Sequence, residues 1–227
     1  VIVAIGTPSA QAVVAATKSI PVVFGAITDP VAAQLVKERG PSGTNVTGMS
    51  DELPLKASLE LIKKTLPKAQ KVGLVYNPGE INSKIVVEQL KVMMPEYGLT
   101  LVEAAAPRTV DVSSAARNLV GKADVIFSTT DNNVIATYES LTKVSLASKL
   151  PLIASDTGSV ERGAIAALGV NYKQLGMQAG QMVARILNGE NPGDIAWETS
   201  DQLEIHLNKK IADQIGFEFS EELVESA

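Results

Sequence analysis

The sequence predicts an α/β protein whose chain crosses between two lobes, and three observations lead to this prediction. Short apolar runs rich in β-branched residues alternate with longer stretches of helical periodicity. Several of these runs are apolar throughout, which is typical of parallel strands covered by helices on both faces. Segments of small and turn-forming residues also interrupt the alternation at three places suited to a crossing between lobes, 48–51, 169–172 and 191–194.

The apolar runs predict the strands in chain order. They are 1–5, 21–25, 45–48, 71–76, 100–104, 125–128, 152–154, 164–168 and 203–207. The stretches between them predict helices, because apolar residues recur at helical spacing and the ends carry capping signals such as Asp29-Pro30 and Asn188-Gly189. The predicted helices are 9–17, 31–38, 53–66, 83–94, 112–120, 134–148, 172–187 and 209–215.

Composition excludes several function classes. The net charge is −5 and the basic residues are scattered, so the concentrated basic face that nucleic acid requires is not expected. The absence of cysteine excludes disulfides, thiolate metal sites and cysteine nucleophiles, and the single histidine, His206, lies in an alternating strand pattern. No dinucleotide loop, P-loop or nucleophile elbow is present. We therefore expect no cofactor, no metal and no enzymatic activity.

Polar clusters follow most of the predicted strands. In open α/β sheets, ligands bind at the carboxyl ends of the strands, where loops and helix N-termini meet. Small donors before a helix suit a carboxylate, and nearby aspartates suit an ammonium group, so the clusters together predict a site for a small zwitterion. The clusters are 6–10, 28–30, 77–83, 129–133 and 155–158.

Each cluster also has an alternative interpretation as the N-cap of the next helix. For Asp29, which precedes Pro30, capping alone is the better explanation. Asp131 differs, because two threonines precede it and two asparagines follow it. Five successive polar residues exceed what one cap requires, and this favours a role for Asp131 in binding.

Six segments taken in order carry a resemblance to a known family: 1–10, 29–31, 45–48, 75–78, 130–132 and 169–172. Together they resemble the ABC transporter substrate-binding proteins of the tryptophan/tyrosine-binding (TrpX-like) family, over essentially the whole chain. The resemblance implies the type I periplasmic-binding-protein fold, two Rossmann-like lobes with a hinge. The first lobe would hold 1–49 plus 172–194, and the second 50–171 plus 195–227. It also implies a ligand in the cleft between the lobes.

The same resemblance implies partners and a location. Family members are lipoproteins or periplasmic proteins that deliver a solute to a membrane permease, and the known ligands of relatives are aromatic amino acids. An extracytoplasmic location follows from the family alone, since no signal peptide is visible in the sequence. The candidates for stacking against an aromatic ligand are Phe24, Tyr76, Tyr138 and Tyr172.

Site residues are carried over from the family by position. Thr7 and Ser9 would contact the ligand carboxylate from the first lobe, and Asp131 would pair with its ammonium group. The other positions implied for the site, from the second lobe or near the hinge, are Asn77, Glu80, Ser83, Asn132, Asp156, Asn171 and Tyr172.

The start of the chain departs from the family pattern, in which two further βα units precede the strand that begins here at Val1. The sequence therefore predicts a first lobe that is truncated, with an exposed sheet edge and exposed apolar surface. Such an edge can pair with another chain, and dimerisation through it is a hypothesis.

Three other functions remain open. A ligand-sensing domain of a regulator can share the fold, and a helix-turn-helix before the first residue would identify it. An enzyme on a similar α/β scaffold would need a nucleophile, a base or a cofactor loop, and none is evident in the sequence. A truncated paralogue without any ligand is the third alternative.

Overall fold

The computed structural model describes residues 1–200 and 202–225 as an alternation of strands and helices. The strands are β1 (Ile2–Ile5), β2 (Val22–Ile27), β3 (Val46–Ser50), β4 (Lys71–Tyr76), β5 (Thr100–Ala105), β6 (Val125–Ser128), β7 (Leu152–Ala154), β8 (Ala166–Val170), β9 (Glu198–Thr199) and β10 (Leu203–Leu207). The helices are α1 (Thr7–Ala16), α2 (Leu55–Thr65), α3 (Ile81–Met93), α4 (Val112–Arg117), α5 (Asn132–Ala136), α6 (Tyr138–Ser148), α7 (Gly158–Glu161), α8 (Tyr172–Leu187), α9 (Lys209–Ile215) and α10 (Glu221–Glu225).

The chain forms two compact units, each discontinuous in sequence. Unit 1 contains residues 1–53 and 170–203, and unit 2 contains residues 54–169 and 204–227. Positions 201, 226 and 227, all within the predicted second lobe, lie outside the described residues. The sequence-based assignment also placed 195–203 in that lobe, whereas Trp197 of unit 1 donates its indole N–H to the carbonyl of Glu38 at 3.0 Å. Whether the units act as separate lobes stays a prediction.

Unit 1 is built on a parallel four-stranded sheet in the order β1-β2-β3-β9. The register between β2 and β3 shifts after Phe24, where Ala26 adopts a positive φ of 53°. On one face, α8 packs through Leu175 and Met182 against Val23 and Met49. This contact buries the apolar face of the helix that the sequence predicted at 172–187.

Unit 2 is built on a six-stranded sheet in the order β10-β8-β7-β6-β4-β5. The pairs from β5 through β4, β6 and β7 to β8 are parallel, so their carboxyl ends share one edge. The side chain of Tyr138 fills the core and is fully buried. Its hydroxyl lies 2.9 Å from Ser128 Oγ, which satisfies the one polar atom of the ring, and burial raises the pKa of Tyr138.

Three sequence predictions differ from the structure. Residues 31–38 form turns and no helix, because Asp29 Oδ1 accepts from the N–H groups of Val31 and Ala32 while Gln34 adopts a φ of 59°. The predicted helix 134–148 is divided into α5 and α6 at Thr137, whose φ of −131° leaves the helical region. The strand predicted at 164–168 is displaced by two residues and forms as β8.

β1 is the edge strand of the unit 1 sheet. Val3 and Ile5 of this strand are exposed by 50% and 60%, as is Val1 just before it by 43%, whereas Ala4 is buried. Pairing of this strand with a second chain stays a prediction. In the described part of the chain, no helix is long and apolar enough to cross a membrane.

Gly48 is the tightest backbone position in unit 1, and we predict that Gly48→Ala destabilises the protein. Its φ is +155°, and a Cβ there would overlap the carbonyl oxygen of Phe24 and lie 2.6 Å from the Phe24 ring. The expected loss in the free energy of unfolding is about 2 kcal/mol or more, measured by urea denaturation. As a control, Gly176→Ala in α8 meets open space and should raise stability by about 0.5–1 kcal/mol. Equal effects of the two substitutions would show that the close approach to Phe24 does not constrain position 48.

Candidate functional site

Asp131 occupies the carboxyl edge of the unit 2 sheet directly after β6 and is 1% exposed. Its Oδ1 caps α5 by accepting from the N–H of Val134 at 3.0 Å. Its Oδ2 accepts from the N–H of Asn77 at 2.7 Å and from Ser83 Oγ at 2.6 Å. One carboxylate therefore connects the loop after β4, the first turn of α3 and the start of α5.

The charge of Asp131 is stabilised only in part. Burial raises the pKa of this carboxyl above its ordinary value, the three hydrogen-bond donors lower it by less, and the negative charge of Glu80 raises it further. Since the folded state then holds the proton more tightly than the unfolded state, stability falls as the pH rises from the ordinary pKa through the raised one. Ionised Asp131 thus carries a stability cost that a cation placed nearby would reduce.

Glu80 lies beside Asp131 and is half-buried. Its Oε2 accepts from Asn132 Nδ2 at 2.6 Å and from Asn82 Nδ2 at 3.2 Å, and its Oε1 accepts from Asn77 Nδ2 at 3.2 Å. All three donors are neutral amides, so they orient the carboxylate without cancelling its charge. The arrangement presents a negative group in a fixed position, which suits a ligand ammonium.

Asp156 follows β7 at the same sheet edge but lies apart from this network. Its two oxygens accept from the N–H of Ser159 at 2.9 Å and from Ser159 Oγ at 2.6 Å, which ties Asp156 to the first turn of α7. Ser155, immediately before it, is 1% exposed, and its Oγ has no hydrogen-bond partner among the described residues.

In unit 1, Thr7 and Ser9 lie in the first turn of α1. Gly6 occupies the N-cap with a φ of 82° and provides no side-chain cap, so the helix start is open to an external acceptor. Thr7 is buried and Ser9 is exposed. A helix N-terminus without a side-chain cap and with two hydroxyls beside it is suited to a carboxylate.

Asn171 and Tyr172 lie at the start of α8 in the same unit. Asn171 Oδ1 caps the helix by accepting from the N–H of Gln174 at 2.9 Å. The Tyr172 hydroxyl donates to Asp51 Oδ2 at 2.6 Å, while the residue stays 36% exposed. Of the four aromatic candidates, Phe24 and Tyr138 are fully buried in their cores, which leaves Tyr76 and Tyr172 accessible in part.

The predicted site residues thus form separate groups. Five of them form one hydrogen-bonded network in unit 2, and these are Asn77, Glu80, Ser83, Asp131 and Asn132. Three residues that were not named individually contact or directly precede predicted ones within the same unit, and these are Asp51, Asn82 and Ser155. The sequence analysis included them only as members of the segments 48–51, 77–83 and 155–158. The binding role of each predicted residue, including the pairing of Asp131 with an ammonium, stays a prediction.

Comparison with known proteins identifies the family. The model of the family described as "ABC transporter substrate binding protein" matches residues 1–227. The chain belongs to this family. A tyrosine-binding protein of Clostridioides difficile (strain R20291) is 43% identical over 92% of this chain. This substrate-binding family thus agrees with the resemblance inferred from the sequence motifs.

Solved structures of ABC substrate-binding proteins and related domains are also similar. A conserved domain protein from Vibrio cholerae has a TM-score of 0.97 at 43% identity, covering 99% of this chain and 76% of its own. An ABC domain from Streptococcus pneumonia in complex with L-Trp has a TM-score of 0.95 at 35% identity, covering 100% and 79%. The predicted type I periplasmic-binding-protein-like fold class is confirmed by these likenesses. The chain spans about three fifths of the length of the curated relatives, 60% and 59%.

The described residues contain no group of three or more acidic or histidine side chains placed to hold a metal ion.

Removal of the Asp131 carboxylate should destabilise unit 2. We predict that Asp131→Ala lowers the free energy of unfolding by about 2–4 kcal/mol, because an N-cap is lost and two further donors are left without an acceptor. Urea denaturation followed by circular dichroism measures this change. Asp29→Ala is the matched control, since Asp29 also accepts from two backbone N–H groups but belongs to an exposed turn. It should cost about 1 kcal/mol or less, and an equal cost at both positions would refute the special role of Asp131.

Proposed function

We propose that this protein is the solute-binding component of an ABC importer and that its ligand is an amino acid with an aromatic side chain. The observation that carries the proposal is the network around Glu80, a half-buried carboxylate whose donors are neutral amides and whose neighbour is the buried carboxylate of Asp131. Two carboxylates this close favour a cation between or beside them.

The ammonium group of the ligand is assigned to Glu80. Asp131 already accepts three hydrogen bonds, so its main contribution is to hold Asn77 and Ser83 in place and to add negative potential. Asn132 and Asn77 fix the rotamer of Glu80 through their amide groups. This division of roles pre-organises the carboxylate before the ligand arrives, which reduces the entropy lost on binding.

The carboxylate group of the ligand is assigned to the start of α1. The first-turn N–H groups and the Thr7 and Ser9 hydroxyls are the donors, and the positive end of the helix dipole adds to the attraction. Residues of both units would contact one ligand, in the interlobe cleft that the resemblance implies. A tyrosine-binding relative and a Trp-bound structural neighbour support an aromatic side chain, for which Tyr172 is a stacking candidate.

The family also supports the partner and the location. A solute-binding component of an importer works outside the cytoplasm and delivers its ligand to a membrane permease, and we propose both for this protein. We propose no catalytic role for the acidic residues in the loops at the carboxyl ends of the strands. They are already hydrogen-bonded at helix starts or in the Glu80 network.

A thermal-shift screen tests the proposal with the twenty amino acids, and with sugars and nucleosides as negative controls. At about 100 times its Kd, a true ligand adds about 2.7 kcal/mol of stability, and we expect this only for tyrosine, tryptophan or phenylalanine. A shift in melting temperature with sugars alone would mean that the ligand is a sugar and not an amino acid. No shift with any compound would contradict the proposal.

Glu80→Gln tests the ammonium assignment by calorimetry. Because the variant keeps the size of the side chain but removes its charge and one of its two acceptor oxygens, we expect Kd for the amino acid to rise by about tenfold or more. Glu88→Gln provides a matched control, since Glu88 lies on the exposed face of the same helix α3. Equal Kd values for the wild-type protein and Glu80→Gln would remove Glu80 from the site.

A further inference from the structure

Buried side-chain polar atoms without a hydrogen-bond partner are few in the part of the chain that the structure describes, and two of them lie at the carboxyl edge of the unit 2 sheet. One is Oδ1 of Asn82, in the first turn of α3 after β4, and the other is Oγ of Ser155, directly after β7. The two residues are 4% and 1% exposed. A buried polar atom without a hydrogen bond lowers the stability of the folded protein. A ligand that supplies the missing partner would therefore be bound favourably at each atom.

The orientation of the Asn82 amide follows from its neighbour. Its Nδ2 donates to Glu80 Oε2 at 3.2 Å, and a carboxylate can only accept, so the carbonyl Oδ1 is the atom left over. Oδ1 is therefore an acceptor placed beside the negative charge of Glu80. A ligand ammonium has three N–H groups and can supply donors to Glu80 and to Asn82 together.

The Ser155 hydroxyl lies at the same edge of the unit 2 sheet as Asn82, but after a different strand. The strand order places β6 between β4 and β7, so their ends are separated by two strand spacings, about 10 Å. The main chain at Ser155 is held firmly, because its N–H donates to the Ser128 carbonyl at 2.9 Å and Gly169 packs directly against its carbonyl group. The main chain thus fixes the origin of the Ser155 side chain, whose Oγ is a buried polar atom without a partner among the described residues.

We propose that the two ends of one ligand supply the missing hydrogen-bond partners of Asn82 Oδ1 and Ser155 Oγ. Ser155 thereby selects aromatic amino acids whose ring carries a hydrogen-bonding group. Asn82 accepts from the ammonium, and Ser155 binds the phenol hydroxyl of tyrosine or the indole N–H of tryptophan. Phenylalanine leaves the Ser155 hydroxyl unsatisfied and is rejected for that reason. This inference rests on the proposed function and deepens it.

Calorimetry with tyrosine, tryptophan and phenylalanine on the wild-type protein and Ser155→Ala tests the selection. The wild-type protein should bind tyrosine or tryptophan at least about tenfold more tightly than phenylalanine, and Ser155→Ala should remove most of that difference while changing the Kd for phenylalanine less than about twofold. Thr65→Val is the matched control, because the Thr65 hydroxyl is also buried without a described partner but lies at the end of α2, before β4 begins. This variant should leave all three Kd values unchanged.

Asn82→Leu tests the other end with a different ligand pair. This variant should raise the Kd for tyrosine by about tenfold or more. The Kd for 3-(4-hydroxyphenyl)propionate, which lacks the ammonium group, should stay unchanged. The inference would be overturned if Asn82→Leu lowered the affinity for tyrosine and for 3-(4-hydroxyphenyl)propionate equally. It would also be overturned if Ser155→Ala lowered the affinity for tyrosine and for phenylalanine equally. Either result would leave the proposed function standing. A wild-type protein that binds no aromatic amino acid would overturn the proposed function and this inference together.

Discussion

Asp131 is a buried carboxylate on which the arrangement of the unit 2 sheet edge depends. Burial of a negative charge is unfavourable unless donors surround it, and here the donors come from three separate segments of chain. The hydrogen bonds that solvate Asp131 therefore also fix where the loop after β4, the start of α3 and the start of α5 lie. Glu80 inherits its position from this arrangement, since Asn77 and Asn132, which orient its carboxylate, flank the residues that Asp131 holds.

The parallel sheet supplies the larger constraint. β4 and β6 are neighbours with their carboxyl ends at one edge, so segments more than 50 positions apart in sequence meet there. The helices that follow these strands begin at the same edge, and their first turns bring unpaired N–H groups and small polar side chains. The position of the proposed site at this edge follows from topology, while its chemistry depends on which side chains each loop provides.

Much of the fold could be predicted from the sequence because buried parallel strands are apolar along their whole length. Strands such as β4 and β6 and the amphipathic helix α8 formed as the pattern indicated. The errors arose where one residue's backbone decided the outcome. Asp29-Pro30 is a sound helix start, but the positive φ of Gln34 ends the turn, and nothing in the residue type of glutamine signals that conformation. The break at Thr137 between α5 and α6 has the same origin.

The polar network at the sheet edge could be predicted from the sequence, while the binding role of each residue stays a prediction. Asp29, Asp131 and Asp156 all follow strands and all accept hydrogen bonds from the chain just after them, so a capping pattern alone does not distinguish them. Burial and long-range donors do, and both depend on tertiary structure: only Asp131 of the three combines 1% exposure with a bond to Asn77, 54 positions away. Capping and ligand binding are also compatible functions, because a capped loop is already ordered when the ligand arrives and less entropy is lost on binding. Asp131 caps α5 and also holds Asn77 and Ser83, and through them it fixes Glu80 and Asn82, the neighbours proposed to contact the ligand.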